Sequence, residues 1–362
     1  MLPLLLVLLL IGSFFAAVVL HARRMVGYLY PCAVVSTWEA RLLPEPRLME
    51  LAEAGVEEAL SLGEEYPLPP TTDPRELELA LRASSSRRYA ELLELVPEEA
   101  REVMRRILAW EEVWNLKSLL TSLHLGLPRE ERKRYLLPSP TLPQERLELL
   151  VSAETPEQLL EFLRGSEYWE VLSTHWEEYR REGLFPLLHA LDRHYYTRLW
   201  EEVRRLRSQR SVLVPLVGFE LDALNLLLLL RLRRAGVPPE RIEPLLFPSH
   251  ELGREKLREL LLASDLRSLL ELLPPSYAFL LSLLPQLEGG DLSGLERALK
   301  EEHLRRCRWM ALTHPFTLAP LYFYVKRREV EVRNLNFLLR LKLEGRDPQL
   351  IKEGLWRVPL EA

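Results

Sequence analysis

Three pairs of side chains in this sequence could do chemistry. Glu112 with Asn115, Asp222 with Asn225, and Glu331 with Asn334 each place an acid three residues before an amide. On a helix that spacing puts both side chains on one face, about one turn apart. A carboxylate beside an amide could act as a catalytic acid or base with a positioning donor. The same pair could instead join helices by satisfying buried backbone groups. The pairs recur after 110 and 109 residues, each with a Leu after the Asn and a Gly eleven residues beyond it, at Gly126, Gly236 and Gly345. An active site is needed once, whereas a packing joint is needed once per repeat. The spacing therefore predicts a threefold internal repeat whose pairs are structural, and no catalytic residue.

The elements that must position these pairs follow from what surrounds them. Pro128, Pro238-Pro239 and Pro348 come two or three residues after the three glycines. Gly past a helix end, followed shortly by Pro, is a helix stop, because Gly takes the left-handed conformation cheaply and Pro cannot continue the ladder. Each pair thus lies on the last helix of its unit. Between Phe219 and Leu230 the middle helix is apolar on nearly every side, which predicts burial. Other helix starts are written in caps, at Asp73-Pro74-Arg75-Glu76 and Thr155-Pro156-Glu157-Gln158. Pro97-Glu98-Glu99 begins the long helix expected to end at Gly126. The resulting division is an apolar segment at 1–24 and helical units at 25–127, 128–237 and 238–362.

Composition agrees with an all-α protein: 15 Gly in 362 residues, much Leu, Glu and Arg, and few β-branched side chains. A net charge of −5 from 48 basic and 53 acidic residues argues against a general nucleic-acid binder. Cys32 and Cys307 stand far apart without CxxC or His spacing, as buried thiols in a reducing compartment would. The chain contains no GxxxxGK[ST] phosphate loop, no HExxH and no strand-turn-helix setting for a nucleophile elbow. His189 and His194, five residues apart, do not share a helix face well enough to chelate a metal. No cofactor, metal or small-molecule substrate is expected. The mixed-charge runs Arg101-Glu102 to Arg105-Arg106, Glu177 to Glu182 and Lys326-Arg327-Arg328-Glu329 read as solvated faces.

Met1 to Leu20 carries no charged side chain and is followed by His21, Arg23 and Arg24. Twenty helical residues span roughly 30 Å, the thickness of a bilayer's hydrocarbon core. Basic residues after the apolar run are predicted to be membrane-edge anchors, with the N-terminus outside and the rest in the cytoplasm. Two other readings leave the run outside the folded protein: an unusual signal peptide, and a start codon assigned too early.

Together these features resemble the C subunit of the V/A-type rotary ATPases, the counterpart of the d subunit in the eukaryotic vacuolar enzyme. The likeness rests on Gly27-Tyr28, Ala40-Arg41-Leu42-Leu43, Trp114-Asn115-Leu116-Lys117-Ser118-Leu119-Leu120, Glu220-Leu221-Asp222 with Asn225, and Tyr324-Val325-Lys326 through Glu329 to Asn334-Leu335, and runs from about residue 26 to 357. Pro31 to Ser36 replaces the family's arginine-rich segment, Glu65-Tyr66-Pro67 lacks its Gly, and the apolar run before Met25 is no part of the likeness. The resemblance implies three helical units in a pseudo-threefold funnel, and a non-catalytic socket on the cytoplasmic face of the cell membrane. Its implied partners are the proteolipid subunits of the rotor ring and the D and F subunits of the central stalk, and its job is to couple ATP turnover to proton transport. A membrane-tethered helical scaffold with another partner is the alternative. A helical enzyme acting on lipids needs clustered acids or a nucleophile, which the sequence does not offer.

Overall fold

The protein is described by a computed structural model over residues 2–289 and 292–358. Most side chains before Met25, those of Arg23 and Arg24 included, lie outside the described residues. Twenty α-helices and no strand are found among the described residues, so the chain is all-α. The first third holds α1 (Leu2–Glu39), α2 (Glu45–Glu53), α3 (Val56–Leu60), α4 (Pro74–Leu95), α5 (Glu98–Leu108) and α6 (Trp110–His124). The middle holds α7 (Arg129–Lys133), α8 (Gln144–Val151), α9 (Pro156–Phe162), α10 (Glu167–Thr174), α11 (Trp176–Glu182), α12 (Phe185–Arg205) and α13 (Arg210–Arg234). The last third holds α14 (Pro239–Ile242), α15 (Arg254–Leu262), α16 (Leu266–Glu271), α17 (Leu284–Glu288), α18 (Ser293–Thr313), α19 (Ala319–Leu343) and α20 (Pro348–Gly354), with 3-10 turns at Glu243–Leu245 and Pro275–Leu283.

Helix ends follow local chemistry. Asp73 accepts the Arg75 N–H at 2.9 Å, and Thr155 accepts the Gln158 N–H at 3.1 Å while the Gln158 carbonyl takes the N–H of Glu154 rather than of the cap. Past α6, α13 and α19 stand Gly126, Gly236 and Gly345 at φ of 68°, 75° and 68°. Beyond each, one more N–H folds back onto the helix: Leu127 to Ser122, Val237 to Leu232 and Arg346 to Leu341, at 2.9 to 3.0 Å. The single long helix expected from Pro97 is two. At Ala109 the N–H turns to the carbonyl of Arg106, and the step between α5 and α6 leaves Trp110 lining a central cavity. Likewise, no break separates residues 24 and 25, because α1 runs on to Glu39.

Three apolar clusters share the interior. The largest joins Tyr28 and Trp38 of α1 to Leu116, Leu191, Leu213 and Tyr322, drawing on every third of the chain. A second packs α13 on α15 to α18. The third sets Leu48, Leu51, Tyr66, Leu77 and Leu81 against Val332, Leu335, Leu338 and Leu339 of α19. Among the described residues, α13 has the length and apolarity of a membrane span, but most of it is buried inside the protein, as expected of a core helix.

Candidate functional site

Each Asn of the three pairs is buried and makes the same two bonds. The Asn115 amide donates to the Leu137 carbonyl and accepts the Leu137 N–H, both at 2.8 Å. Asn225 does this with Phe247 at 3.1 and 2.8 Å, and Asn334 with Trp356 at 2.7 and 2.9 Å. All three partners lie 22 residues downstream. A side-chain amide carries one donor and one acceptor in the geometry of a peptide group, so it closes a paired ring with an irregular segment that has no helix of its own to bond.

The acids go elsewhere, and each takes a tyrosine hydroxyl. Glu112 accepts from Tyr168 at 2.8 Å, Asp222 from Tyr277 at 3.1 Å, and Glu331 from Tyr66. Asp222 also accepts the N–H groups of His250 and Glu251 at 2.8 Å and of Leu252 at 3.2 Å, and Glu331 that of Leu43 at 2.5 Å. Burial pushes the Asp222 carboxyl up despite these donors. For Glu331 burial again dominates, offset in part by Tyr66 and the Leu43 N–H, and the carboxyl rises to about 7. Glu112 is only half-buried. The fully buried acid in α6 is its neighbour Glu111, which sequence reasoning did not single out; one oxygen accepts from Ser86 at 2.6 Å and the other has no partner.

Glu331 bonds to residues 288 and 265 positions earlier, so α19 ties the end of the chain to its beginning. The same closure is repeated by cations at helix C-termini, where carbonyls lack partners. Arg132 donates to the Val151 and Ala153 carbonyls after α8, Arg233 to those of Leu260 and Ala263 after α15, and Lys342 to those of Ala52 and Ala54 after α2.

Where the thirds meet lies a cavity of about 340 Å³ lined by Tyr89, Trp110, Tyr196, Glu220, Lys326 and Trp356, among others. Lys326, read from sequence as part of a solvated face, is 4% exposed, and Arg328 is 0% exposed. That reading is corrected by α19 itself: Tyr322, Phe323, Tyr324, Val325, Val330 and Val332 bury the helix on all sides, so charges inside the run must be paired. The all-round apolarity was the available signal. The Lys326 ammonium lies 2.8 Å from Glu220 and 3.2 Å from Glu329, Lys300 lies 3.4 Å from Glu329, and the Tyr322 hydroxyl donates to Glu220 at 2.7 Å. Burial alone would raise the Glu220 carboxyl; Lys326, His303 and Lys300 outweigh it and hold the group far below the usual range. His303 is kept neutral, down to about 3, by burial first and by Lys300 and Lys326, against the pull of Glu220. Its Nε2 stands 3.1 Å from the Leu216 carbonyl. Arg328 is held by Ser84, Ser85 and Glu65 and lies over the Tyr66 ring at 4.8 Å. Every cation in this set already has its anion, and no carboxylate stands free beside a nucleophile. The arrangement is suited to joining helices.

Comparison with known proteins agrees with this geometry. The chain is 30% identical over 363 residues to the C subunit of an A-type ATP synthase from Methanothermobacter thermautotrophicus, with 96% of this chain and 94% of that one covered. Relatives of the same description from Thermococcus kodakarensis and Methanocaldococcus jannaschii are 28% and 26% identical, each over 91% of this chain and over 91% and 86% of their own lengths. The sequence pattern of one family, described as ATP synthase (C/AC39) subunit, matches residues 31–354. With a match running from inside α1 to the end of α20, the chain belongs to the ATP synthase (C/AC39) subunit family.

Proposed function

We propose that this chain is the non-catalytic socket of a V/A-type rotary ATP synthase, seated on the cytoplasmic face of the membrane rotor ring and receiving the central stalk. The proteolipid subunits of the ring and the D and F subunits of the stalk are its partners in this reading, and its work is to pass torque between ATP turnover and proton transport. The relatives, named as C subunits of A-type ATP synthases, support the assembly. The observation that carries the mechanical part is the return of α19 onto α2 and α4, which supports three units of 25–127, 128–237 and 238–362 closed as a pseudo-threefold funnel. Glu112, Asp222 and Glu331, with Asn115, Asn225 and Asn334, are then its packing joints. A carboxylate tied to two lysines and a phenol is not free to take a substrate's proton, whereas helices cross-linked in a ring resist shear.

The test is reconstitution of the synthase in vesicles with and without this chain. ATP hydrolysis is expected in both preparations, and proton pumping only where the chain is present or added back. Pumping that persists without it would overturn the coupling role. ATP hydrolysis by the isolated chain, surviving replacement of Glu112, Asp222 and Glu331, would overturn the non-catalytic one.

A further inference from the structure

We propose that α1 is a single rigid shaft, inserted in a lipid bilayer along its N-terminal half and locked to the core along its C-terminal part. A helix of 38 residues is about 57 Å long, nearly twice the thickness of a hydrocarbon core. Its two ends have opposite surroundings. From Tyr28 onward one face is built into the protein: Tyr28, Cys32, Val35 and Trp38 are buried about one turn apart against α4 and α19. The Tyr28 hydroxyl donates to Glu99 at 3.3 Å, Trp38 meets Tyr324 at 5.7 Å between ring centroids with Arg88 over its other side, and Arg327 pairs with Glu39 at 2.8 Å. Toward the N-terminus the described side chains have no such cover: Phe14, Phe15 and Val19 are 67%, 64% and 48% exposed.

Successive helical positions differ by about 100°, so these three residues point in more than one direction, and no single protein groove would cover them. No charged side chain occurs from Leu2 to Leu20, and the first cations follow at Arg23 and Arg24. A stretch of that length, exposed and without a charge, fits the acyl chains of lipid, with the arginines at the headgroups. Below them Val26, Leu29 and Tyr30 are exposed on the side away from the core and carry the apolar surface toward the membrane boundary, where tyrosine is favoured.

Rigidity follows from what the helix lacks. Sharp kinks arise at Pro and Gly, and none occurs from Ser13 to Val26. Gly27 lies at the core, where an added Cβ would stand 3.7 Å from Pro97, and Pro31 lies between Tyr28 and Cys32, where the helix is already held. A tether would let the core drift over the membrane; this shaft fixes its depth and tilt. The inference does not depend on the function proposed above.

Spin labels on the full-length chain in phosphatidylcholine and phosphatidylglycerol vesicles test both parts. The native thiols are buried, and burial pushes Cys32 up to about 11, so introduced cysteines should react alone, with the unsubstituted chain as control. A label at Phe15→Cys is expected to be relaxed by oxygen and shielded from a water-soluble nickel complex, and one at Thr37→Cys the reverse. Exposure of the first label to nickel would overturn insertion. Shielding from both relaxants would overturn lipid as the neighbour and indicate a protein contact. A double label at Val19→Cys and Thr37→Cys should give a narrow distance distribution near 27 Å, as about 1.5 Å per residue requires. A broad distribution would overturn the rigid shaft.

Discussion

At the scale of the residue, the asparagines matter because one side chain replaces two backbone partners. Asn225→Leu leaves the N–H and carbonyl of Phe247 unpaired, and its expected cost is about 1–3 kcal/mol. Asn115→Leu and Asn334→Leu should behave alike, since their bonds are the same. Urea denaturation of the three variants checks this, and unchanged midpoints in all would show the joints to be dispensable. Glu111 gives a prediction in pH. Burial pushes its carboxyl up to about 8, with Ser86 and Arg82 pulling it back. Between the ordinary carboxylate range and pH 8 the folded chain therefore keeps a proton that the unfolded chain releases, so stability falls as pH rises through that window. Glu111→Gln should flatten the loss by an amount on the order of 2–4 kcal/mol between pH 5 and pH 8. Glu331 titrates in the same window and His303 below it, but both stay in the variant, so the difference between the two chains isolates Glu111. A parallel pH profile for the two proteins would mean that Glu111 ionises normally.

At the scale of the element, α19 shows what a sequence conveys and what it hides. Its caps, its Asn and its Gly stop are local chemistry, and each was legible because its effect extends over one turn. Lys326 and Arg328 were misread because a charge run looks the same on a wet face as inside a bundle; what decides is the surroundings, supplied by α4, α13 and α18. The cavity they line was equally hidden, since Trp110, Tyr196 and Trp356 come from different thirds of the chain and no spacing relates them. The break at Ala109 carried no Pro or Gly to announce it. For Lys326 the burial has a definite cost. Lys326→Met leaves Glu220 and Glu329 with less than their compensating charge and should destabilise by about 3–5 kcal/mol. Adding Glu220→Gln should return part of that loss, because the orphaned charge is what is expensive. A double-mutant cycle measures the coupling, and additive effects would show that the two side chains do not depend on each other.

At the scale of the whole molecule, the question is whether three similar units fold as three or as one. Repeat proteins that contact only their neighbours along the chain tolerate the loss of a terminal unit. Here the last helix supplies half of a cluster whose other half is near the start, with Leu335, Leu338 and Leu339 against Leu51, Tyr66 and Leu81. Tyr66 and the Leu43 N–H lose their acceptor if Glu331 is absent, and the carbonyls after α2 lose Lys342. Removing the third unit would therefore expose the first, although the two are farthest apart in sequence. The intact chain should melt in one cooperative transition, and a fragment ending at Gly236 should retain helix while losing fixed tertiary packing, seen as far-ultraviolet circular dichroism without its near-ultraviolet counterpart. A fragment that melted as sharply as the intact chain would mean that the first unit is complete without α19, and that the return of the chain onto its beginning adds contacts without which the fold still forms.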